Sequence, residues 1–311
     1  MRFSIVLRHL HPELGKRIDS LLTPKLGLLN QYPPRPIFIP SRHLRKPRLE
    51  SFPKISIVTP SLNQGRFLER TLISVLEQNY PNLEYVVQDG GSRDNSVAII
   101  EHYKLRLHFA VSAADEGQAQ AINRGFHRTS GDIMAWLNSD DVLLPGTLHY
   151  VAEYFAKHPR IDVIYSHRVL IDENDLEVGR WLLPPHRDEA FTWIDYVPQE
   201  TMFWRRRAWE RAGGALDPAF QFALDWDLLF RFRNSGARFA RVPRFFAAFR
   251  VHPHQKTSAR MKDLGAVEIE HIRRREYGRS ISDTEVEQRV RVYVREHLYQ
   301  NALYQLGIAV R

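Results

Sequence analysis

Between Ile55 and Leu137, short apolar runs alternate with segments of helical periodicity, and this alternation constrains the fold more than any other feature of the chain. Ile55–Val58, Leu83–Val87, Leu107–Val111 and Ile133–Leu137 read as strands. Between them lie three expected helices. The first carries Leu68, Leu72, Val75 and Leu76 at i, i+4, i+7 and i+8, the second is Asp94–Tyr103 behind an acidic cap, and the third is Gln118–His127. Strands that alternate with helices imply a parallel sheet, so the expected class is α/β, a Rossmann-like, mostly parallel sheet flanked by helices. Such sheets bind ligands beyond the carboxyl ends of their strands. The four loops there read Ser61-Leu62-Asn63-Gln64-Gly65, Asp89-Gly90-Gly91-Ser92-Arg93-Asp94, Asp115-Glu116-Gly117 and Asn138-Ser139-Asp140-Asp141, and three of the four are acidic.

The flanks differ from this core. Residues 1–52 contain Pro24, Pro33, Pro34, Pro36, Pro40 and Pro47, which predicts an irregular arm apart from a short helix near Leu14–Leu22. Ten Lys and Arg face three acids within residues 1–50, so this arm holds most of the formal net charge of +8. Such an arm is either a solvated extension or an attachment to an anionic membrane surface; without a recognisable motif, no nucleic-acid partner is expected. Beyond Pro145 the reading is a helix Thr147–His158, a strand Asp162–Val169 and a hairpin turn at Asp172–Asp175 leading into Glu177–Leu182. A short helix near Arg206–Ala212, the segment Asp225–Arg233 and a strand Phe245–Phe249 follow. Residues 262–306 read as helical and strongly charged. The expected organisation is a basic Pro-rich arm (1–52), a catalytic domain (53–258) and a helical C-terminal extension (259–311).

With no cysteine, disulfides and thiolate metal sites are excluded, and any metal must be held by oxygen or imidazole, which points to Mg²⁺ or Mn²⁺. No apolar run approaches the ~20 residues that span a bilayer. Arg8, His9 and His11 interrupt the N-terminal apolar stretch, so secretion is not expected and the chain reads as cytoplasmic.

Asp140 and Asp141 follow an apolar strand, where carboxylates can chelate a divalent ion that neutralises a diphosphate leaving group. The same pair before Pro145 also suits an ordinary turn or helix cap. Asp89 with Gly90 and Gly91 is either a tight turn or a nucleobase pocket, with the carboxylate accepting from a base N–H while the glycines let a flat ring approach. There is no Gly-x-Gly-x-x-Gly fingerprint and no Gly-x-x-x-x-Gly-Lys loop, which disfavours dinucleotide enzymes and P-loop ATPases.

Together these segments resemble a family 2 glycosyltransferase of the GT-A fold. The resemblance rests on Ile55–Asn63, the helix from Leu68 to Gln78, Asp89–Asp94, Asp115-Glu116-Gly117 with Asn123-Arg124-Gly125, and Trp136–Asp141. It continues in Pro198–Trp204, Gly213-Gly214 to Asp217, Asp225–Leu228 and Phe249–His252, and covers residues 53–258. It implies inverting transfer from a nucleotide-diphosphate sugar, a UDP-sugar, with Mg²⁺ or Mn²⁺. The expected acceptor is a saccharide or lipid-linked saccharide at the inner face of a membrane, a surface that the basic arm and Arg273–Arg275 suit.

Carried over by that resemblance, Pro60, Ser61, Asn63 and Asp89 would line the base and ribose pocket, and Asp115, Gly117 and Asn123 would stand near the nucleotide and sugar. Asp140 would bind metal, with Asp141 beside it and His252 as a further ligand or a phosphate donor. The family's Asp-x-Asp motif begins here with Asn138. Asp225 would be the base that deprotonates the acceptor hydroxyl, preceded by Leu224 where the family has Glu, with Asp227 as the fallback. Both aspartates also suit the start of a helix. Gln199, Glu200 and Trp226 would lie on the acceptor side, with Trp204, Trp209 and Trp226 as either a sugar-stacking wall or core. Two alternatives stand beside this reading: a degenerate transferase serving as a binding module, and a nucleotidyltransferase.

Overall fold

The computed structural model of the chain describes residues 23–44, 49–253, 255 and 261–308. The expected helix near Leu14–Leu22 and most of the basic residues of the arm (Arg2, Arg8, Lys16, Arg17, Arg45, Lys46, Arg48) lie outside them.

The alternating segment forms β1 (Ile55–Ser61), α1 (Gly65–Leu76), β2 (Leu83–Asp89), α2 (Ser96–Tyr103), β3 (Phe109–Ser112), α3 (Gln118–Phe126) and β4 (Ile133–Trp136). β1 pairs in parallel with β2 and β4, and β2 with β3. Short β5 (Val142–Leu143) and α4 (Thr147–Lys157) follow, then β6 (Val163–Ile171) and β7 (Glu177–Trp181), joined by the expected turn at 172–175. The remainder comprises α5 (Asp188–Phe191), β8 (Phe203–Arg205), α6 (Arg206–Arg211), α7 (Leu224–Asn234), β9 (Phe239–Arg250), α8 (Ala266–Tyr277) and α9 (Asp283–Gln305). The nine strands make one mixed sheet in the order β3-β2-β1-β4-β8-β6-β9-β5, with β7 on β6.

Both faces of the sheet are covered, and the period of two sorts each strand's side chains between two cores. Val58, Val86, Met134 and Trp136 face α3, α7 and a wall of Trp204, Trp209 and Trp226. Ile57, Tyr85, Val87 and Ala135 face α1 and α4 through Leu68, Leu72, Val75, Leu148 and Phe155. Each of the Val, Leu, Ile, Met and Phe side chains among them, removed from water, contributes roughly 1.5–3 kcal/mol. α3 approaches β1 so closely that a Cβ on Gly125 would stand 2.4 Å from Val58 Cγ1.

β9 begins six residues before the expected Phe245. Pro243 masks its first half in the sequence: Ser166 pairs Val242 and His167 pairs Phe245, so Pro243 and Arg244 bulge out of the ladder, where a missing N–H is harmless. The flanks are docked on this body. Arg35 bridges Glu177 on β7, and the Glu177 carboxylate accepts from Tyr32, Arg35 and Arg180. Ile272 of α8 and Tyr293 of α9 belong to the same core as α7, and His297 bonds the Leu182 carbonyl. Among the described residues no helix is long and apolar enough to cross a membrane.

One buried carboxylate ties three parallel strands together just below β4. Glu84 accepts from Ser56 Oγ at 2.8 Å, Ser130 N at 2.7 Å and Gly131 N at 3.1 Å. Burial alone would raise its pKa, but these donors and Lys54 outweigh burial and hold it down to about 2. A depressed folded pKa means stability present above the ordinary glutamate range and lost as pH falls toward 2. Glu84→Gln should therefore lower Tm at pH 7, at a cost on the order of 2 kcal/mol, and flatten the fall of Tm below pH 4.5 in a pH series of thermal melts.

Candidate functional site

The last rungs of the parallel ladder align Ser61, Asp89 and Ser112 in one row at the carboxyl edge of the sheet. Asp89 is fully buried there and organises its own loop. Oδ2 accepts from Ser92 N at 2.8 Å, Gly91 N at 3.1 Å and Ser112 Oγ at 2.6 Å, and Oδ1 accepts from Ser92 Oγ at 2.5 Å. Asn63, at φ +53°, links this loop to the one after β1, receiving Arg93 N on its side chain and giving its own N–H to Ser92 Oγ. Pro60 and Ser61 are buried at the base of the row, and Ser61 Oγ has no partner among the described residues. Asp115, after β3, leans over Gly90: a Cβ on Gly90 would meet Asp115 Oδ2 at 2.9 Å. Asp115 Oδ1 accepts from Gly117 N, whose residue takes the φ of +118° that glycine permits.

The loop after β4 completes the rim. Thr71 Oγ1 of α1 lies 2.9 Å from the Ser139 carbonyl and 2.7 Å from that of Asp141. Both ends of the Asn138 side chain are engaged, Oδ1 by Gln118 and Nδ2 by Gln199, which also donates to the Trp136 carbonyl. From the other side, the end of β9 is stitched on: Arg250 N donates to Asp141 Oδ1 at 2.9 Å and Arg250 Nε to the Asp140 carbonyl at 2.7 Å. His252, its side chain 2% exposed, packs on the Phe67 ring and brings Nε2 to 3.1 Å from Asp140 Oδ2. Asp141 is buried, and its Oδ2 has no partner. Burial, then the charges of Asp140 and Glu200, raise that carboxyl well above the usual range. Among the described residues no three His, Asp or Glu side chains group as a metal cage. Asp140 and His252 are the contacting pair.

A second acidic group stands beyond this rim. Arg168 of β6 holds Glu200 bidentately, at 2.7 Å from both Nε and Nη2, and lies 4.5 Å from the Trp181 and Phe249 rings. Burial raises the Asp225 carboxyl to about 6, with Glu200 adding to the rise, against the opposing pull of Trp226 N–H and Arg168. Asp195 reaches solvent, yet the protein around it and the charge of Asp225 raise it well above the ordinary aspartate range. The two carboxyls titrate as a pair.

The profile of glycosyl transferase family 2 matches residues 56–214, half of the chain. The chain belongs to glycosyl transferase family 2. It is 34% identical over 130 residues to an uncharacterised glycosyltransferase of Nostoc sp., a match covering 41% of this chain and 40% of that one. Among solved structures, residues 1–349 of S. aureus TarS in complex with UDP-GlcNAc superpose with a TM-score of 0.58 at 16% identity, covering 83% of this chain and 76% of that one. The mannosyltransferase PcManGT of Pyrobaculum calidifontis, in complex with GDP-Man and Mn²⁺, gives 0.58 at 17% identity over 98% and 83% of the two chains. These likenesses bear out the GT-A architecture.

Within this family 2 fold several sequence candidates are engaged by neighbouring residues or packed in the core. Asp227 is 1% exposed and closed off by Arg231 at 2.8 Å and Arg275 at 2.5 Å, so its carboxylate meets no cleft. Trp204, Trp209 and Trp226 are core side chains, and Trp226 Nε1 is taken by the Phe191 carbonyl. Glu200, expected on the acceptor side, is buried and paired with Arg168. Asn123 clamps the Leu216 peptide reciprocally, at 2.9 and 2.7 Å. Sequence reasoning missed Arg168 and Asp195. Arg168 left one signal, a lone charge inside the apolar run Val163–Ile171.

Proposed function

We propose that this family 2 protein transfers a sugar, with inversion, from a nucleotide-diphosphate donor to the hydroxyl of a saccharide or lipid-linked saccharide. What supports the reading is the presence of two carboxylate groups: a strand-end rim of Asp89, Asp115 and Asp140, and the Asp195–Asp225 pair whose base is tuned to about 6. An Asp with that pKa is unprotonated at neutral pH and basic enough to accept a proton. Asp225 takes the acceptor's hydroxyl proton as the oxygen forms its bond to the anomeric carbon. The bond from that carbon to the diphosphate breaks on the opposite face, and the nucleotide leaves with the electron pair.

The rim residues hold the donor. Asp89 shapes the loop whose Gly90 and Gly91 let the nucleobase approach, and Pro60, Ser61 and Asn63 complete that pocket. Asp115 and Gly117 stand at the sugar side. Asp140 and His252 suit a hard cation, two protein ligands leaving positions for diphosphate and water, with the unpartnered Asp141 oxygen beside them. Mg²⁺ or Mn²⁺, when bound, would neutralise charge on the leaving diphosphate. The complexes of TarS with UDP-GlcNAc and of PcManGT with GDP-Man and Mn²⁺ support this donor class and cation. The basic N-terminal arm supports attachment at the inner face of a membrane.

The test is a panel of UDP-, GDP- and dTDP-sugars with and without Mn²⁺, read by nucleotide release and thermal shift. At least one donor should stabilise the protein in a Mn²⁺-dependent way, by about 2.7 kcal/mol at a hundred times Kd. A panel in which no donor binds would leave a fold kept as a binding module.

A further inference from the structure

α8 lies outside the segment matched by the family profile, and its inner face meets the stretch that carries Asp225. Glu268, 6% exposed, accepts from three successive peptide N–H groups, those of Gln221, Phe222 and Ala223, each at 2.8 Å. The third of these is the residue that caps α7, and Asp225 stands two places on. A helix start normally receives a Ser, Thr, Asp or Asn side chain at this position, but α7 has Ala223 and no capping side chain of its own. Further along α8, His271 packs on Phe220 with ring centroids 5.8 Å apart, and Arg275 donates to Asp227 at 2.5 Å. Glu268, His271 and Arg275, with fully buried Ile272, follow one another at i, i+3, i+4 and i+7, a single helix face.

We propose that Glu268 is a positioning residue for the transfer step: it supplies from α8 the anchor that α7 lacks, and so holds the Asp225 carboxylate where the acceptor hydroxyl arrives. This rests on Asp225 being the base. An anchor on the peptides directly preceding a reacting group acts on its placement, and a misplacement of 1 Å at such a group can cost about 10²-fold. The donor rim is formed by other elements, so donor affinity should be insulated from the change.

The experiment compares Glu268→Ala and Glu268→Gln with the parent, using whichever of UDP-GlcNAc and GDP-mannose the parent cleaves with Mn²⁺ present. For Glu268→Ala, kcat for nucleotide release should fall about 10–100-fold while donor Kd stays within about twofold. Glu268→Gln, which keeps one acceptor oxygen and serves if the alanine variant does not fold, should fall between. Amide exchange should accelerate at residues 221–227 and stay unchanged at 86–92. A parental kcat in both variants, or a loss of kcat matched by an equal loss of donor affinity, overturns the proposal. If the parent cleaves neither donor, the kinetic comparison moves to the donor that the wider panel selects; an inactive panel ends the transferase reading by itself, and unchanged exchange at 221–227 would still refute the anchor.

Discussion

Asp225→Asn is expected to lower kcat for nucleotide release about 10²–10⁴-fold and leave donor affinity unchanged. The substitution keeps size and keeps an oxygen to accept from Trp226 N, which Asp225 Oδ1 does at 2.9 Å, so α7 should begin as before. What is lost is the proton acceptor alone. The parent should also show an acid limb. Asp225 works only unprotonated, and its carboxyl is raised to about 6, so kcat should rise with pH through that value and level off above it. Because Asp195 titrates with it, the limb belongs to the pair. The readout is initial-rate nucleotide release at saturating donor across pH 4.5–8. Equal rates for variant and parent would shift the role of base to Asp195, the accessible member of the pair.

The second large effect concerns Asp140. Replacing it with alanine removes the only carboxylate in contact with His252 among the described residues. Loss of a neighbour that merely orients a metal ligand costs about 10–100-fold in metal affinity, and loss of a ligand should cost at least as much. Donor binding in Mn²⁺, titrated calorimetrically, should therefore weaken by at least about 10–100-fold, down to the level seen with chelator in the parent. The side chain is 20% exposed, and the loop around it is held by Thr71 and Arg250 through backbone carbonyls that the substitution leaves in place. Stability should change little. Retained Mn²⁺ dependence in Asp140→Ala would remove Asp140 and His252 from the cation site.

The parallel half of the sheet was legible because its strands are apolar runs that alternate with helices, and such units leave little choice of topology. β5 and β8 were not, at two and three residues; their pairing with β9, β4 and β6 comes from distant chain. The acid loops could be located because βα units send every strand-end loop to the same edge. The role of each acid was less accessible. Asp225 and Asp227 are two residues apart, and at about 100° per residue a helix points them to opposite sides. One stays half-buried and the other meets Arg231 and Arg275. The tryptophans beside them were ambiguous for the same reason, since a sugar-stacking ring and a core ring share a composition.

By itself, the sequence determined the order of strands and helices from Ile55 to Trp136, the acidic edge at Asp89, Asp115 and Asp140, and the exclusion of sulfur ligands. Those follow from local periodicity and residue type. Only the tertiary structure decided which acids are neutralised and which stay open: Arg168 reaches Glu200 across 32 residues, Arg275 reaches Asp227 across 48, and Glu268 reaches Ala223 across 45. Burial and ion pairing are set by packing between distant segments, and they, more than residue identity, separate a reactive carboxylate from a structural one.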